Sequence, residues 1–299
     1  MSRNGINEGL KQGWLQGVKS GFGHSKMESG LRKGVVSESG IHNKVQDPTL
    51  LQGNKQPSSF FIADFNTTKT AGSTINGLTQ LSPGKTTYVI GSSPAYQPPY
   101  SGNGGVYNNR AYIDFNSGAD SVSTTNTLMG SGKNELTIMI VFRISSVTDG
   151  RILFYSVDST ITNTIGDIQI TTQGGNRVRV SFIGNPTTTS AVYETYDKLV
   201  EGLHHWHILT VKFRLYQPNG QGSEVEMYLN GNLNMRPVTT TFGASTGNFV
   251  GNTFYFGNNS SATAGGSQIA SAITFDYWLN SSEQIRMENF YRWYYGRRF

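Results

Sequence analysis

From Phe60 onward the chain is built of short runs in which apolar and polar residues alternate, separated by clusters of Gly, Pro, Asn, Ser and Thr. In Arg177-Val178-Arg179-Val180-Ser181-Phe182 every apolar residue is on an even position, and Glu224-Val225-Glu226-Met227-Tyr228-Leu229 alternates in the same way. A period of two predicts strands with one wet face. Leu136-Thr137-Ile138-Met139-Ile140-Val141-Phe142 is apolar on both faces, which predicts a central strand. The same reading predicts strands over 86–90, 111–115, 136–144, 151–157, 167–172, 177–183, 205–215, 224–229, 253–256 and 268–279. Asn230-Gly231 predicts a tight hairpin, because both residues tolerate positive φ. Regularly spaced strands without alternating helices give an all-β fold, a two-sheet antiparallel jelly-roll sandwich.

Two segments depart from this pattern. Near the end, Ser281-Ser282-Glu283-Gln284 places a Ser three residues before Gln, and Gly296 supplies a C-cap, so a short helix is predicted over 282–295. Its Ile285, Phe290, Trp293 and Tyr294 are expected toward the sandwich, its Arg286 and Glu288 elsewhere, and Arg297-Arg298 near its negative end. At the other terminus Gly5-Ile6, Gly9-Leu10, Gly13-Trp14, Gly17-Val18 and Gly21-Phe22 repeat Gly-apolar-x-x. Four residues turn an α-helix through about 400°, so the glycines would form one stripe beside a stripe of Ile6, Leu10, Trp14, Val18 and Phe22. Each glycine costs about 1 kcal/mol against Ala, so the segment needs a partner to become helical. A low-complexity leader and an extended or partly helical docking arm both remain open. Residues 1–56 therefore read as arm and linker, and 57–299 as the folded body, which begins around Phe60-Phe61-Ile62-Ala63-Asp64-Phe65.

Composition narrows the chemistry. Only 14% of the 299 residues are charged, 36 are Gly and none is Cys. Disulfide scaffolds, thiolate zinc sites, iron–sulfur clusters and cysteine nucleophiles are thereby excluded. The net charge of +5 is concentrated at the ends, with eight Lys/Arg against four Asp/Glu in 1–56 and four against one in 286–299. Such dilute basic ends do not make a nucleic-acid grip, so an acidic protein surface is the expected partner. No apolar stretch is long enough to span a bilayer, and the opening Met-Ser-Arg-Asn-Gly lacks the apolar middle of a secretory signal; no membrane partner and synthesis in a cytosol are expected. On that expectation the Asn-x-Ser/Thr triplets at Asn66, Asn258, Asn259 and Asn280 carry little meaning.

Candidate chemistry is sparse. Glu224 and Glu226 share a strand face, as the acid and nucleophile of a sandwich glycosidase would, but the third acid of such enzymes is replaced by Tyr228; a solvated face is the favoured account. His204, His205 and His207 surround Trp206 without an acid or Cys to complete a tetrahedral metal set. Asp158 and Asp167 bracket a polar loop that could hold Ca²⁺ weakly, so no cofactor is expected beyond a weak Ca²⁺. Tyr96, Tyr100 and Tyr107 lie in a Pro/Gly-rich loop, where their rings either stack on sugars or pack over the sandwich edge.

The order of these segments resembles a known family. Asn109–Phe115 followed by Glu135–Arg143 is similar to the opening strands of laminin-G-like, concanavalin-A-like jelly rolls. Trp206-His207-Ile208-Leu209-Thr210-Val211 and then Val225-Glu226-Met227-Tyr228-Leu229-Asn230-Gly231 look like their paired tryptophan strand and hairpin, and Ile269–Ile273 through Gln284 like their last core strand and terminal helix. The resemblance covers roughly residues 57–296 and implies fold more than function, since this sandwich serves lectins, adhesion modules, glycan-cleaving enzymes and viral structural proteins. A Cys-free sandwich behind a docking arm looks most like a virion component of a tailed bacteriophage. The resemblance thus implies a non-enzymatic structural protein of the virion, made in the host cytoplasm. As a head decoration, fibre or tail-associated component it would bind other virion proteins through 1–56 and form homo-oligomers in the particle. The alternative is a lectin-like module binding cell-surface glycans; a glycoside hydrolase ranks below both.

Overall fold

The computed structural model describes residues 57–63, 88–91, 95–97, 110–115, 121–124, 133–144, 152–157, 168–173, 176–182, 191–197, 199, 205–215, 224–239, 253–257 and 267–295. In chain order these form β1 (Ser59–Ile62), β2 (Tyr88–Gly91), β3 (Ala95–Gln97), β4 (Tyr112–Phe115), β5 (Ser121–Thr124), β6 (Glu135–Ile144), β7 (Ile152–Val157) and β8 (Ile168–Gln173). There follow β9 (Arg177–Phe182), β10 (Ala191–Glu194), β11 (His207–Arg214), β12 (Glu224–Leu229), β13 (Asn232–Leu233), β14 (Arg236–Thr239), β15 (Thr253–Gly257), β16 (Ser267–Phe275) and the helix α1 (Ser281–Tyr295). The strands make two antiparallel eight-stranded sheets. One runs β13-β12-β11-β6-β16-β4-β3 with β1 also on β16, and the other β14-β10-β9-β8-β7-β15-β5-β2. The all-β, two-sheet architecture with one C-terminal helix is as the alternation predicts.

Two cores explain the patterning. Leu136, Ile138, Ile140, Phe142 and Ile144 of β6 face Val178, Val180 and Phe182 of β9 across the inter-sheet core, where Phe61 meets Phe256 and Phe182 meets Phe213 at ring-centroid distances of 5.3 Å. The odd positions Met139 and Val141 face the other way, into a second cluster with Phe60, Trp206, Ile208, Met287, Phe290 and Tyr291. The first sheet is therefore an inner layer, covered by the outer sheet on one face and by α1 on the other. That double cover is why β6 is apolar throughout and central in its sheet. A bulge in β16 sets Ile269 opposite Phe142 and Ser271 opposite Val141, leaving Ala270 over. Tyr295 donates to the Ala270 carbonyl at 3.1 Å, and Ser271 Oγ donates to the Tyr291 hydroxyl at 3.2 Å, so the bulge seats the helix.

Asn230 and Gly231 form the turn between β12 and β13 with φ of 54° and 89°. Other boundaries move. The run predicted over 268–279 leaves the sheet after Phe275, because the backbone N–H groups of Trp278 and Leu279 donate to Glu135 Oε2 (2.9 Å) and Thr137 Oγ1 (3.1 Å). The strand predicted from His205 begins at His207. The helix is capped one residue earlier than the Ser reading: Asn280 Oδ1 accepts from Glu283 N–H at 3.0 Å, and Glu283 Oε2 accepts from Asn280 N–H at 2.9 Å. Its inner face also differs. Phe290 and Tyr294 are buried as expected, but Ile285 and Trp293 are 56% and 42% exposed, and Gln284, Met287, Glu288, Tyr291 and Tyr295 are buried instead. That set follows the three-and-four spacing of one helix face, and the polar pair belongs to it because Gln284 Nε2 donates to Glu288 Oε1 at 2.9 Å. The glycine-apolar arm, Gly296 and Arg297-Arg298 lie outside the described residues.

Candidate binding surface

The carboxylates of β12 do share a face, and that face is occupied. Glu226 Oε2 meets Lys212 Nζ at 2.8 Å and accepts from the Tyr228 hydroxyl at 2.8 Å. Glu224 meets Arg214 Nη1 at 3.3 Å, and Arg214 Nε also donates to Glu135 at 2.8 Å. Both cations lie over the Trp278 ring, Arg214 at 4.5 Å and Lys212 at 5.1 Å. Burial, reinforced by Glu226, pushes the Tyr228 hydroxyl well above the usual phenol range. The side chains of Glu224 and Glu226 stay 40% and 30% exposed, so the face is solvated as expected, and it carries an ion-paired lattice of three acids and two bases built by the register Glu135–Arg214–Glu224 and Thr137–Lys212–Glu226 across three strands. A glycosidase needs one carboxyl free to attack or activate water and another poised to give a proton. Neither Glu224 nor Glu226 is without a cationic partner.

The histidines diverge. His205 is exposed, whereas His207 is buried, its ring 5.7 Å from that of Phe142 and its Nδ1 3.4 Å from Asn230 Nδ2. His204, Asp158 and Asp167 lie outside the described residues, among which no three His, Asp or Glu side chains gather around a metal position. Trp206 belongs to the helix-side cluster, with Arg143 at 4.8 Å over its ring and 4.6 Å over Tyr112. The Arg143 guanidinium is held by Gln268, which reaches Asp114 at 3.1 Å; burial lowers its pKa, with Tyr112 and Asp114 opposing. Tyr96 lies on the edge strand β3 in register with Ile113. Tyr100, Tyr107, Ile6, Leu10, Trp14, Val18 and Phe22 lie outside the described residues.

A second charged surface lies on the far side of the molecule. Alternation in β9 turns Val178, Val180 and Phe182 inward and Arg177, Arg179 and Ser181 outward. The register then lines up Thr171, Arg179, Glu194 and Arg236 across four strands. Arg179 Nε and Nη2 donate to Glu194 Oε1 at 3.0 and 2.6 Å, and Arg236 Nη2 donates to Oε2. Burial alone would raise the Glu194 carboxyl, but the hydrogen bonds and charges of the two arginines outweigh it and hold the group below its ordinary value. Glu194 is 6% exposed at its side chain, the arginines 32% and 39%. This triad escapes the sequence reading because β10 and β14 are four residues each, and Glu194 and Arg236 are 42 positions apart. No described element covers this face, since α1 packs on the inner sheet.

No family model and no curated protein matches the chain. Solved structures match it in fold. Among them are receptor-binding domains of botulinum neurotoxins. The serotype G binding domain aligns with a TM-score of 0.51 at 12% identity over 78% of this chain and 50% of that one. A second structure of the type G receptor-binding domain gives 0.47 at 14% identity over 74% and 51%, and the C/D mosaic serotype domain 0.48 at 14% over 76% and 52%. The chain spans about half the length of the structures it matches.

Proposed function

We propose that this chain is a non-enzymatic binding module, held in a larger assembly through residues 1–56 and displaying its sandwich outward. The observation that carries the reading is the contrast between the two charged surfaces. The carboxylates a sugar-cleaving mechanism would require are consumed by Lys212, Arg214 and Tyr228, whereas the outer sheet presents a polar face that no described element covers. The assembly we propose is a virion of the tailed-bacteriophage kind, a reading supported by the laminin-G-like resemblance and by the five Gly-apolar tetrads. In it Ile6, Leu10, Trp14, Val18 and Phe22 dock into a neighbouring virion protein; five buried side chains at about 1.5–3 kcal/mol each offset the glycine cost.

Deleting residues 1–24 tests this directly. The truncated protein is expected to stay folded and to be lost from the assembled particle. Incorporation at the normal level overturns the docking reading. Release of reducing sugar by the full-length protein, abolished by Glu224→Gln, overturns the non-enzymatic one.

A further inference from the structure

The outer face of the outer sheet has the features of a ligand site. Among the described residues three arginines, Arg177, Arg179 and Arg236, share it with one acid, Glu194, and the exposed Asp197 follows three residues on, which leaves a small local excess of positive charge. The two oxygens of Glu194 fix two guanidinium groups without exhausting them. Arg179 uses Nε and Nη2, and Arg236 uses Nη2, so each keeps N–H donors that the carboxylate does not take. Guanidinium groups held in place by a nearly buried carboxylate are preorganised to receive a second anion, because the rotamer entropy has already been spent. Arg179 and Arg236 rise from the strands on either side of β10, their backbones about 10 Å apart by two strand spacings, and their guanidinium groups converge on the two oxygens of Glu194, while Arg177 stands about 7 Å from Arg179 along β9.

The surroundings narrow the anion. So small an excess among the described residues is too little for a polyphosphate backbone, which takes many phosphate contacts to hold. Among the described side chains the register puts one aliphatic residue, Val192, beside the arginine row, too little for the apolar centre of a protein–protein interface. What remains is a flat array of hydrogen-bonding groups: Gln169 and Ser181 are paired in register beside the arginine row, and Tyr196, 61% exposed, lies two residues beyond Glu194. Amides, hydroxyls and an open ring beside a paired guanidinium cluster and a third arginine suit a sugar polymer that carries carboxylates. We infer that this face binds a carboxylated polysaccharide, with the Glu194-held pair Arg179 and Arg236 recognising one acid group, Arg177 a neighbouring one, and Tyr196 offering a ring to a sugar face. The inference rests on reading the sandwich as a displayed module and supplies its ligand class.

The test uses the full-length protein with immobilised polygalacturonate, dextran sulfate and neutral dextran. Polygalacturonate is expected to retain the protein, neutral dextran to release it, and binding to weaken about tenfold between roughly 50 and 300 mM NaCl. Two variants leave the Glu194 contacts intact. Ser181→Asp adds a negative charge to the face and Arg177→Gln removes a positive one; each is expected to weaken binding about fivefold or more with unchanged circular dichroism. Equal retention on neutral dextran, retention on dextran sulfate alone, or indifference to both variants overturns the inference. The arm deletion above is scored by incorporation, so loss of the glycan site with incorporation intact discards this inference and keeps the module.

Discussion

At the scale of single residues, the positions that matter most are those where a backbone group depends on one side chain. Asn280 and Glu283 satisfy each other's N–H groups at the start of α1, while Ser281 is exposed. Asn280→Ala is expected to lower stability by about 1 kcal/mol and Ser281→Ala by less than about 0.5 kcal/mol, a contrast that urea denaturation of the two variants checks. The Asn-Ser-Ser run of 280–282 holds three residues able to cap, and composition cannot rank them; the register of the preceding turn does, through Trp278 and Leu279 on Glu135 and Thr137. Gly231 is the second such position. Its φ of 89° excludes most side chains, and a Cβ there would lie 2.7 Å from Glu288 Oε2 and 2.8 Å from Arg292 Nη2. Gly231→Ala is expected to cost about 1–3 kcal/mol, mostly from the backbone because the two contacting atoms end flexible side chains. Equal unfolding midpoints for Gly231→Ala and wild type would remove the turn from this account.

Among the elements, β6, β9, β12 and the Asn230-Gly231 hairpin were legible because a two-residue period and a turn dipeptide are local signals. The face of α1 was not. Aromatic residues surround much of this helix, and its inner face includes Gln284 and Glu288, whose burial depends on partners such as Thr210, 78 residues from Glu288. The same reason hid the roles of Arg143 and Lys212: each lies on a strand that reads as core, and each is buried because rings, carbonyls or carboxylates from other strands receive it. Local pattern therefore located the sheets, while the charged sites depended on cross-strand register. The corrected helix face makes a sharp prediction. Phe290→Ala empties a site against Phe60 and should cost about 3–5 kcal/mol, whereas Ile285→Ser on the exposed side should stay within about 0.5 kcal/mol. Thermal melts in which Ile285→Ser costs as much as Phe290→Ala would put Ile285 back on the inner face.

For the whole molecule, two buried carboxylates act on stability in opposite directions with pH. Glu194, clamped by Arg179 and Arg236 across β9, β10 and β14, ionises more readily folded than unfolded. Its contribution is complete above the ordinary carboxylate value of about 4.3 and is lost as pH falls through the lower folded value. Glu288, between α1 and the β12–β13 turn, is the reverse case: burial raises its pKa against the opposing effects of Gln284, Arg292, Thr210 and Lys212. The folded state then binds the proton more tightly than the unfolded chain, so this contribution is present below about 4.3 and disappears as pH rises through the folded value. Together the two groups place the best stability in mildly acid solution, with an acid limb owed to the outer sheet and an alkaline limb owed to the helix. Replacing Glu288 by Gln keeps a side chain able to accept from Thr210 and removes the titration. Urea midpoints measured from pH 3 to pH 8 are expected to fall on the alkaline side for wild type and to flatten there for Glu288→Gln, with the acid limb unchanged. Parallel curves for the two proteins above pH 5 would mean that α1 does not hold its carboxylate as the packing against Thr210 and Gly231 requires.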